Sequence, residues 1–234
     1  MDKPKALICY NDSIWHKGSN KSVFWAQKLR EDGFDVERVN STLPLCDRKL
    51  LDEVDLLILS WSEEHIIEEQ ALNLADAIGF GGLGLAGYHE TSTAFRQYHW
   101  HWLLGSFMAT HPGMVKDRWQ HTYTVNVRMP DDPIMKGITD FEHHSEQFYL
   151  LHDGDNLNEV LADTKMVCSD YPWMVGAVSP VAYKRNFGKG KIFYSSLGHY
   201  VEEFQRKEVS QITHRGMLWA SRRLPEGLNI EDVK

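Results

Sequence analysis

Short strand-like segments, of which the first and third are apolar runs, alternate with longer helical patterns in the first half of the chain. Continuous runs, rather than strict alternation with polar residues, are typical of parallel strands that helices cover on both faces. The strand-like runs are residues 6–10, 34–39, 54–60 and 83–87. The helical patterns cover residues 19 or 20 to 30, 66–78 and 92–104. This alternation predicts an open, mainly parallel sheet with right-handed crossovers.

The pattern changes in the second half, where shorter strands predominate. The strands predicted there are residues 122–128, 147–151, 181–187 and 191–195. Gly188 and Gly190 separate the last two in the manner of a hairpin, and a final helix is predicted over residues 208–222. We therefore expect one α/β domain over residues 1–224, in which antiparallel strands extend the parallel core. Residues 225–234 are expected to form a loose tail.

The charge of the chain argues against two classes of partner. The sequence has 33 acidic and 25 basic residues, a formal net charge of −8. Phosphate backbones and anionic membrane surfaces require clustered positive charge, so neither nucleic acid nor a membrane is expected as a partner. No run approaches the roughly 20 apolar residues of a membrane span, and no secretion signal is evident. The expected location is cytoplasmic, and homo-oligomer formation stays open.

Twelve histidines among 234 residues are the unusual feature of the composition. Imidazole titrates near neutral pH and binds metals readily, so an excess invites an acid/base or metal-binding interpretation. In open parallel sheets, ligands bind beyond the carboxyl ends of the strands. Three predicted strands are followed by loops that contain histidine, over residues 11–18, 61–65 and 88–93. These loops are the first places to expect a site.

His89 and Glu90 follow the strand that ends near Gly87. This layout resembles a nucleophile elbow, which lifts one side chain onto the rim of a sheet, but neither cysteine nor serine occupies the elbow here. Histidine beside a carboxylate suits proton transfer or metal ligation instead. The alternative is a histidine that only hydrogen-bonds its own loop.

Two later segments offer similar candidates. On an extended chain His144 and Glu146 point to one face and His143 to the other, which makes His144 and Glu146 the predicted functional pair. A solvated edge strand is the alternative there. His199 follows Gly198 after the last predicted strand, so the order of strand, glycine and histidine recurs. Glycine permits a close approach or an unusual backbone angle at such a point.

Gly79, Gly81 and Gly84 match the G-x-G-x-x-G spacing of dinucleotide-binding sites. Such a site requires a strand before the glycines and a helix after them, so that the pyrophosphate meets the N-terminus of the helix. Here the predicted helix comes first and the strand second. We therefore expect no nucleotide cofactor, whereas a divalent metal stays open.

Five segments of the sequence carry a family resemblance. In order along the chain they are GLGLAGYHE, LLGSFMATHP, SEQFYLL, FGKGKIFYSSLGH and THRGMLWA. As a set they resemble the ThuA-like (trehalose-utilisation) family, over about Val54 to Ala220. The resemblance implies a fold like that of class I glutamine amidotransferases, a flavodoxin-like three-layer sandwich that lacks the amidotransferase cysteine. That fold agrees with the sheet predicted from the hydrophobic pattern.

The resemblance also points to particular positions. Carried over onto this sequence, the family's motif residues fall on His89, Gly105, His111, Pro112, Glu146, Tyr149, Trp173, Gly198 and His199. Many relatives have a serine directly after the first of these histidines, where this chain has Glu90. The difference bears on the identity of the substrate.

The family resemblance implies a carbohydrate-processing enzyme, a hydrolase or lyase of 3-keto glycosides or disaccharides. The candidates for acid/base catalysis are His89, Glu90, His144, Glu146 and His199. Aromatic faces stack on sugars while polar groups bind their hydroxyls, and the candidates for substrate binding are Trp61, Tyr88, His111, Tyr149, Trp173 and Tyr200. In a metal-assisted variant, the ligands would be His89, Glu146 and His199. A non-catalytic sugar-binding or regulatory module on the same scaffold is the alternative.

Overall fold

The structure, a computed structural model, describes residues 2–62, 64–95, 97–111, 120–154, 157–167 and 171–233. Its strands are β1 (Lys5–Tyr10), β2 (Asp35–Val39), β3 (Leu56–Ser60), β4 (Gly84–Tyr88), β5 (Ser106–Thr110), β6 (Gln120–Val127), β7 (Phe141–Glu146), β8 (Tyr149–His152), β9 (Glu159–Lys165), β10 (Val178–Phe187) and β11 (Gly190–Ser195). Its α-helices are α1 (Gly18–Asp32), α2 (Arg48–Glu53), α3 (Glu68–Gly79), α4 (Tyr98–Leu104) and α5 (Lys207–Ala220). Two short 3-10 helices follow β4 and β11, at His89–Thr93 and Val201–Gln205.

Within the described residues, nine strands form one sheet in the order β2-β1-β3-β4-β11-β10-β9-β6-β7. The strands from β2 to β11 are paired in parallel, and those from β11 to β7 are antiparallel. β5 and β8 form a separate antiparallel pair. The predicted parallel core, its antiparallel extension and the β10–β11 hairpin are confirmed.

Alternate side chains of the parallel strands pack on opposite faces of the sheet. Ile8 and Ile58 belong to a hydrophobic cluster that includes residues of α1 and α5, whereas Leu7 and Leu57 belong to one that includes residues of α3 and α4. All four side chains are buried. Burial on both faces explains why these strands are continuous apolar runs in the sequence. The architecture is the expected three-layer α/β/α sandwich.

The helix predicted over residues 92–104 is shorter than expected. The segment after β4 is a 3-10 helix, and α4 begins only at Tyr98. The side chains of Ser92 and Thr93 donate to the carbonyls of His89 and Glu90, at 3.1 and 2.9 Å. Serine and threonine hydroxyls that bond nearby backbone groups compete with regular helix formation. Strands β5 and β9 and helix α2 were not predicted, and β7 was considered only as the edge-strand alternative.

The described end of the chain packs against the core instead of forming the loose tail that was expected. Val233 is buried, and its carbonyl accepts hydrogen bonds from the guanidinium of Arg215 at 2.8 and 3.2 Å. Leu228 and Ile230 pack against the hydrophobic cluster that contains α5. Among the described residues, no helix has both the length and the apolar character needed to cross a membrane.

Candidate functional site

Four side chains from separate segments meet at the carboxyl end of the parallel strands. His16 lies in the loop after β1, His89 begins the 3-10 helix after β4, and His199 lies in the loop after β11. Glu146 is the last residue of β7. One potential ligand atom from each of the four lies within 4.8 Å of the others. We refer to His16, His89, Glu146 and His199 as the His/Glu cluster.

His89 is fixed by hydrogen bonds from both its side chain and its backbone. Its Nδ1 donates to the Ser196 carbonyl at 2.9 Å, so its Nε2 is left to face the cluster. Its own carbonyl accepts from Tyr194 Oη at 2.9 Å and from Ser92 Oγ at 3.1 Å. The φ angle of His89 is 30°, in a region that favours glycine. Such strain costs about 1–3 kcal/mol and is concentrated at functional sites.

The distances within the cluster suit a single small cation. His89 Nε2 lies 2.8 Å from His199 Nδ1 and 3.3 Å from Glu146 Oε2, and His199 Nδ1 lies 3.6 Å from the same oxygen. The ring of His16 lies 5.2 Å from that of His89 and 5.1 Å from that of His199, centroid to centroid. Tetrahedral bonds of about 2.0–2.1 Å place neighbouring ligand atoms roughly 3.3 Å apart. The three distances between potential ligand atoms, 2.8, 3.3 and 3.6 Å, are centred near that value.

The surroundings of the cluster favour the neutral forms of His16 and His199 and the ionised form of Glu146. Burial, followed by the influence of His89, lowers the pKa of His199 to about 3. Burial also lowers the pKa of His16 far below its ordinary value. Burial alone would raise the pKa of Glu146, but its hydrogen bond to His89 and the neighbouring imidazoles lower it to about 2. These are the ionisation states in which the side chains ligate metals.

A buried ion pair supports the cluster from the side of α1. Lys21 Nζ lies 2.5 Å from Glu90 Oε2, and each side chain is 1% exposed. Lys21 also donates to the carbonyls of Gly198 at 3.3 Å and His199 at 3.1 Å. The pair therefore joins α1 to both segments that follow β4 and β11, because Glu90 is the chain neighbour of His89.

The sequence as a whole agrees with one known family. The sequence model of the ThuA family, described as trehalose utilisation, matches residues 5–220. The chain belongs to the ThuA family. This confirms the resemblance that the five motifs carry, and it extends the match to the first strand and helix.

Solved structures of ThuA-like proteins share this fold. A ThuA-like protein from Bacteroides uniformis is 17% identical with a TM-score of 0.70, and the match covers 95% of each chain. One from Parabacteroides merdae is 16% identical with a TM-score of 0.68, over 99% of this chain and 96% of that one. A cytoplasmic protein from Salmonella typhimurium is 12% identical with a TM-score of 0.63, over 93% and 99% of the two chains. At these identities the likeness concerns the fold alone. A comparison with curated proteins finds no match.

The structure brings His89, Glu146 and His199 of this ThuA chain together, as the metal-assisted variant requires, and adds His16. Glu90 is not among the four, which corrects its predicted catalytic role. One of its carboxylate oxygens pairs with Lys21, and the other accepts a hydrogen bond from Ser60 Oγ at 2.9 Å. Glu90 is thus held in a buried ion pair behind the cluster.

The predicted pairing of His144 with Glu146 is also corrected. His144 is exposed on β7, where its Nδ1 lies 3.0 Å from Thr122 Oγ1 of β6. Residues on the same face of a strand lie about 7 Å apart, so His144 is one repeat away from the cluster. The buried histidine of this strand is His143, whose Nε2 lies 3.0 Å from Glu203 Oε2.

Two aromatic residues predicted to bind substrate belong to the hydrophobic core, which corrects their assignment. Trp61 packs in the same hydrophobic cluster as residues of α3 and α4, and Tyr88 packs with Trp25 and Phe204. Both side chains are buried. A sugar does not reach either ring in this arrangement.

The other predicted substrate-binding residues occupy different places. The ring of Tyr200 lies 4.1 Å from that of His199 and is 48% exposed. His111 stacks on Phe148 at 6.0 Å, and Phe148 in turn lies 4.3 Å from His89. Tyr200 and His111 therefore lie at or near the cluster.

Trp173 and Tyr149 are less closely associated with the cluster. Trp173 is 78% exposed and packs against Tyr171, 5.6 Å away. Tyr149 is partly buried at the start of β8, where it is paired with Thr110 of β5. Pro112, the last residue of the family's His-Pro element, lies outside the described residues.

His16 is the cluster residue to which sequence reasoning assigned no role. A signal for it was present, because it lies in one of the three histidine-containing loops expected at the carboxyl ends of strands. Its chain neighbour Trp15 was likewise given no role, although 55% of it is exposed. For His16, its place in a loop at the carboxyl end of a strand was thus a better indicator of the site than any local sequence motif.

Proposed function

We propose that this chain is a metal-dependent carbohydrate-processing enzyme that acts on glycosides carrying a ketone at C3. The observation that supports it most is the His/Glu cluster, in which three imidazoles and a carboxylate converge within 4.8 Å. Nitrogen and oxygen donors of this kind suit zinc, manganese and iron. The family description, trehalose utilisation, supports a sugar as the substrate. A divalent cation in such a site polarises a carbonyl oxygen.

The proposed reaction is an elimination followed by a hydration. A ketone at C3 acidifies the C2–H bond, so that a base can take the C2 proton while the C1–O bond breaks and the alcohol leaves with a proton. Water then adds across the C1–C2 double bond, its hydroxyl going to C1 and a proton returning to C2, which completes hydrolysis. Both contacts of Glu146 with the imidazoles use Oε2. We therefore assign Glu146 Oε1 to the proton transfer at C2.

Two exposed aromatic residues adjoin cluster histidines in the chain and suit a sugar ring. Trp15 precedes His16 and Tyr200 follows His199, and the two are 55% and 48% exposed. The apolar side chain of Ile14 is also exposed, next to Trp15. Aromatic faces stack on the apolar side of sugars, whereas the polar cluster is suited to their oxygen atoms. Trp15 and Tyr200 are accordingly the proposed platform for the substrate.

The Trp15→Ala variant is expected to raise KM for a keto-glycoside about 10-fold, equivalent to roughly 1.4 kcal/mol, with little change in kcat. The reason is that Trp15 would contribute stacking area without taking part in the chemistry. Trp102→Ala is the matched control, because Trp102 is 56% exposed but lies on α4, where it packs against Phe187. Steady-state kinetics of both variants make the comparison. Equal KM values for the two variants would show that Trp15 does not bind the substrate.

The metal is tested on the purified chain by elemental analysis and by calorimetric titration with Zn²⁺ and Mn²⁺. We expect one cation per chain. Turnover of a panel of 3-keto-glucosides should be lost on chelation and restored when the cation is returned. If the chain binds neither ion and still turns over these substrates in the presence of chelator, the proposed metal dependence is wrong. Sugar-induced thermal stabilisation without any turnover would instead indicate the non-catalytic sugar-binding module.

A further inference from the structure

One carboxylate outside the His/Glu cluster accepts four hydrogen bonds. Glu203 lies in the 3-10 helix after β11, and its side chain is 10% exposed. Its Oε2 accepts from His143 Nε2 at 3.0 Å and from the Gly198 N–H at 3.1 Å. Its Oε1 accepts from Ser145 Oγ at 2.9 Å and from the Tyr200 N–H at 3.3 Å. The last bond is an ordinary helix capping contact, whereas the other three are not.

These four donors belong to the two segments that carry ligands of the cluster. His143 and Ser145 lie on β7, which ends at Glu146. Gly198 and Tyr200 are the chain neighbours of His199 on either side. A single side chain therefore ties together the backbone around two of the four proposed ligands.

These two segments lie on or after strands that are not neighbours in the sheet. In the sheet order, β10, β9 and β6 lie between β11 and β7. No direct ladder of backbone hydrogen bonds between described strands thus sets the distance from the end of β7 to the loop after β11. The separation of Glu146 from His199 depends on side-chain contacts across the carboxyl edge of the sheet, and Glu203 supplies four hydrogen bonds there.

We propose that Glu203 is a positioning residue that holds Glu146 and His199 at the separation needed to bind a cation. The part of this inference that concerns affinity rests on the proposed metal site. Groups that orient metal ligands from outside typically affect metal affinity by about 10- to 100-fold. Glu203 contacts the neighbours of the ligands and does not itself belong to the cluster.

The hydrogen-bonding pattern requires a carboxylate at this position. Each oxygen of Glu203 accepts one backbone N–H and one side-chain donor. A glutamine in either orientation would place its amino group against a backbone N–H. Both groups are hydrogen-bond donors, and the backbone N–H cannot act as an acceptor. Glu203→Gln therefore changes the size of the side chain very little but leaves donors facing each other.

The test compares Glu203→Gln with Glu202→Gln, since Glu202 is the exposed neighbour in the same short helix. Calorimetric titration with Zn²⁺ should show affinity lowered about 10- to 100-fold for Glu203→Gln and changed less than about 2-fold for Glu202→Gln. Amide hydrogen exchange of the metal-free proteins is the second readout. Exchange at Gly198 or at Tyr200 should accelerate about 10-fold in Glu203→Gln, because the N–H that faces the amino group of the glutamine loses its acceptor.

The two readouts separate this inference from the proposed function. If the parent chain binds no Zn²⁺, the metal site fails together with the affinity effect, and exchange still decides whether Glu203 holds the loop. If the parent binds Zn²⁺ but Glu203→Gln matches it in affinity and exchange, the inference is overturned. Ser145→Ala, which removes one donor from β7, serves if Glu203→Gln does not fold. It should weaken Zn²⁺ binding in the same direction, by about 2- to 10-fold, and unchanged binding would overturn the inference.

Discussion

Replacing His89 with alanine is expected to weaken Zn²⁺ binding by more than about 100-fold, beyond the effect usual for groups outside the ligand set. Its Nε2 lies 2.8 Å from His199 Nδ1 and 3.3 Å from Glu146 Oε2, so it contacts two of the other three members of the cluster. Turnover of a 3-keto-glucoside should fall at least as far, because the remaining donors no longer enclose a cation. Calorimetry and steady-state kinetics measure the two losses.

The matched control for this substitution is His144→Ala. His144 is exposed on β7, where its described hydrogen bond is to Thr122. We expect Zn²⁺ affinity and turnover of this variant to equal those of the parent chain. The reverse order of effects, with His144→Ala impaired and His89→Ala active, would restore the pairing predicted from the sequence and refute the cluster as the reactive centre.

Replacing Lys21 with methionine is expected to lower the free energy of unfolding by about 3–5 kcal/mol. Lys21 and Glu90 are each 1% exposed, so the substitution would leave a carboxylate buried without its cation. The carbonyls of Gly198 and His199 would also lose their donor. Urea denaturation monitored by tryptophan fluorescence gives the free energy by linear extrapolation.

Two controls identify the buried charge as the cause. The double variant Lys21→Met/Glu90→Gln should recover much of the lost stability, because no unpaired charge is then buried. Lys5→Met breaks an ion pair with Glu53 whose partners are 48% and 65% exposed, and it should leave the unfolding curve almost unchanged. If the double variant loses as much stability as Lys21→Met and Glu90→Gln lose singly and in sum, Lys21 and Glu90 do not stabilise each other.

The hydrophobic pattern predicted most of the fold because burial leaves a direct record in the sequence. Residues 56–59 are apolar throughout, and the strand that contains them is buried on both faces of the sheet. The β10–β11 hairpin was recognised from its glycines for an equally local reason. β9 was missed because Asp163 and Thr164 are buried polar residues that interrupt its apolar pattern. Their burial depends on neighbours from distant parts of the chain.

The candidate site was predicted only in part. His89 and His199 were chosen because they follow predicted strands, and Glu146 because it was paired with His144 and matches the family motif; the structure brings His89, Glu146 and His199 together. Local spacing also favoured His144 and Glu90, which lie near the cluster along the chain but face other partners. Spacing shows which side chains share a face of one element. It does not show which elements are adjacent.

The sequence by itself determined the fold class, the family and the edge of the sheet at which a site is expected, because these depend on local hydrophobic pattern and motif order. The tertiary structure decided which residues share that site. His89 and His199 are 110 positions apart, yet their ring nitrogens lie 2.8 Å from each other. His16 and Glu146 join them from two further segments. Such a distance is set by the packing of strands and loops that are remote in sequence, and no local pattern encodes it.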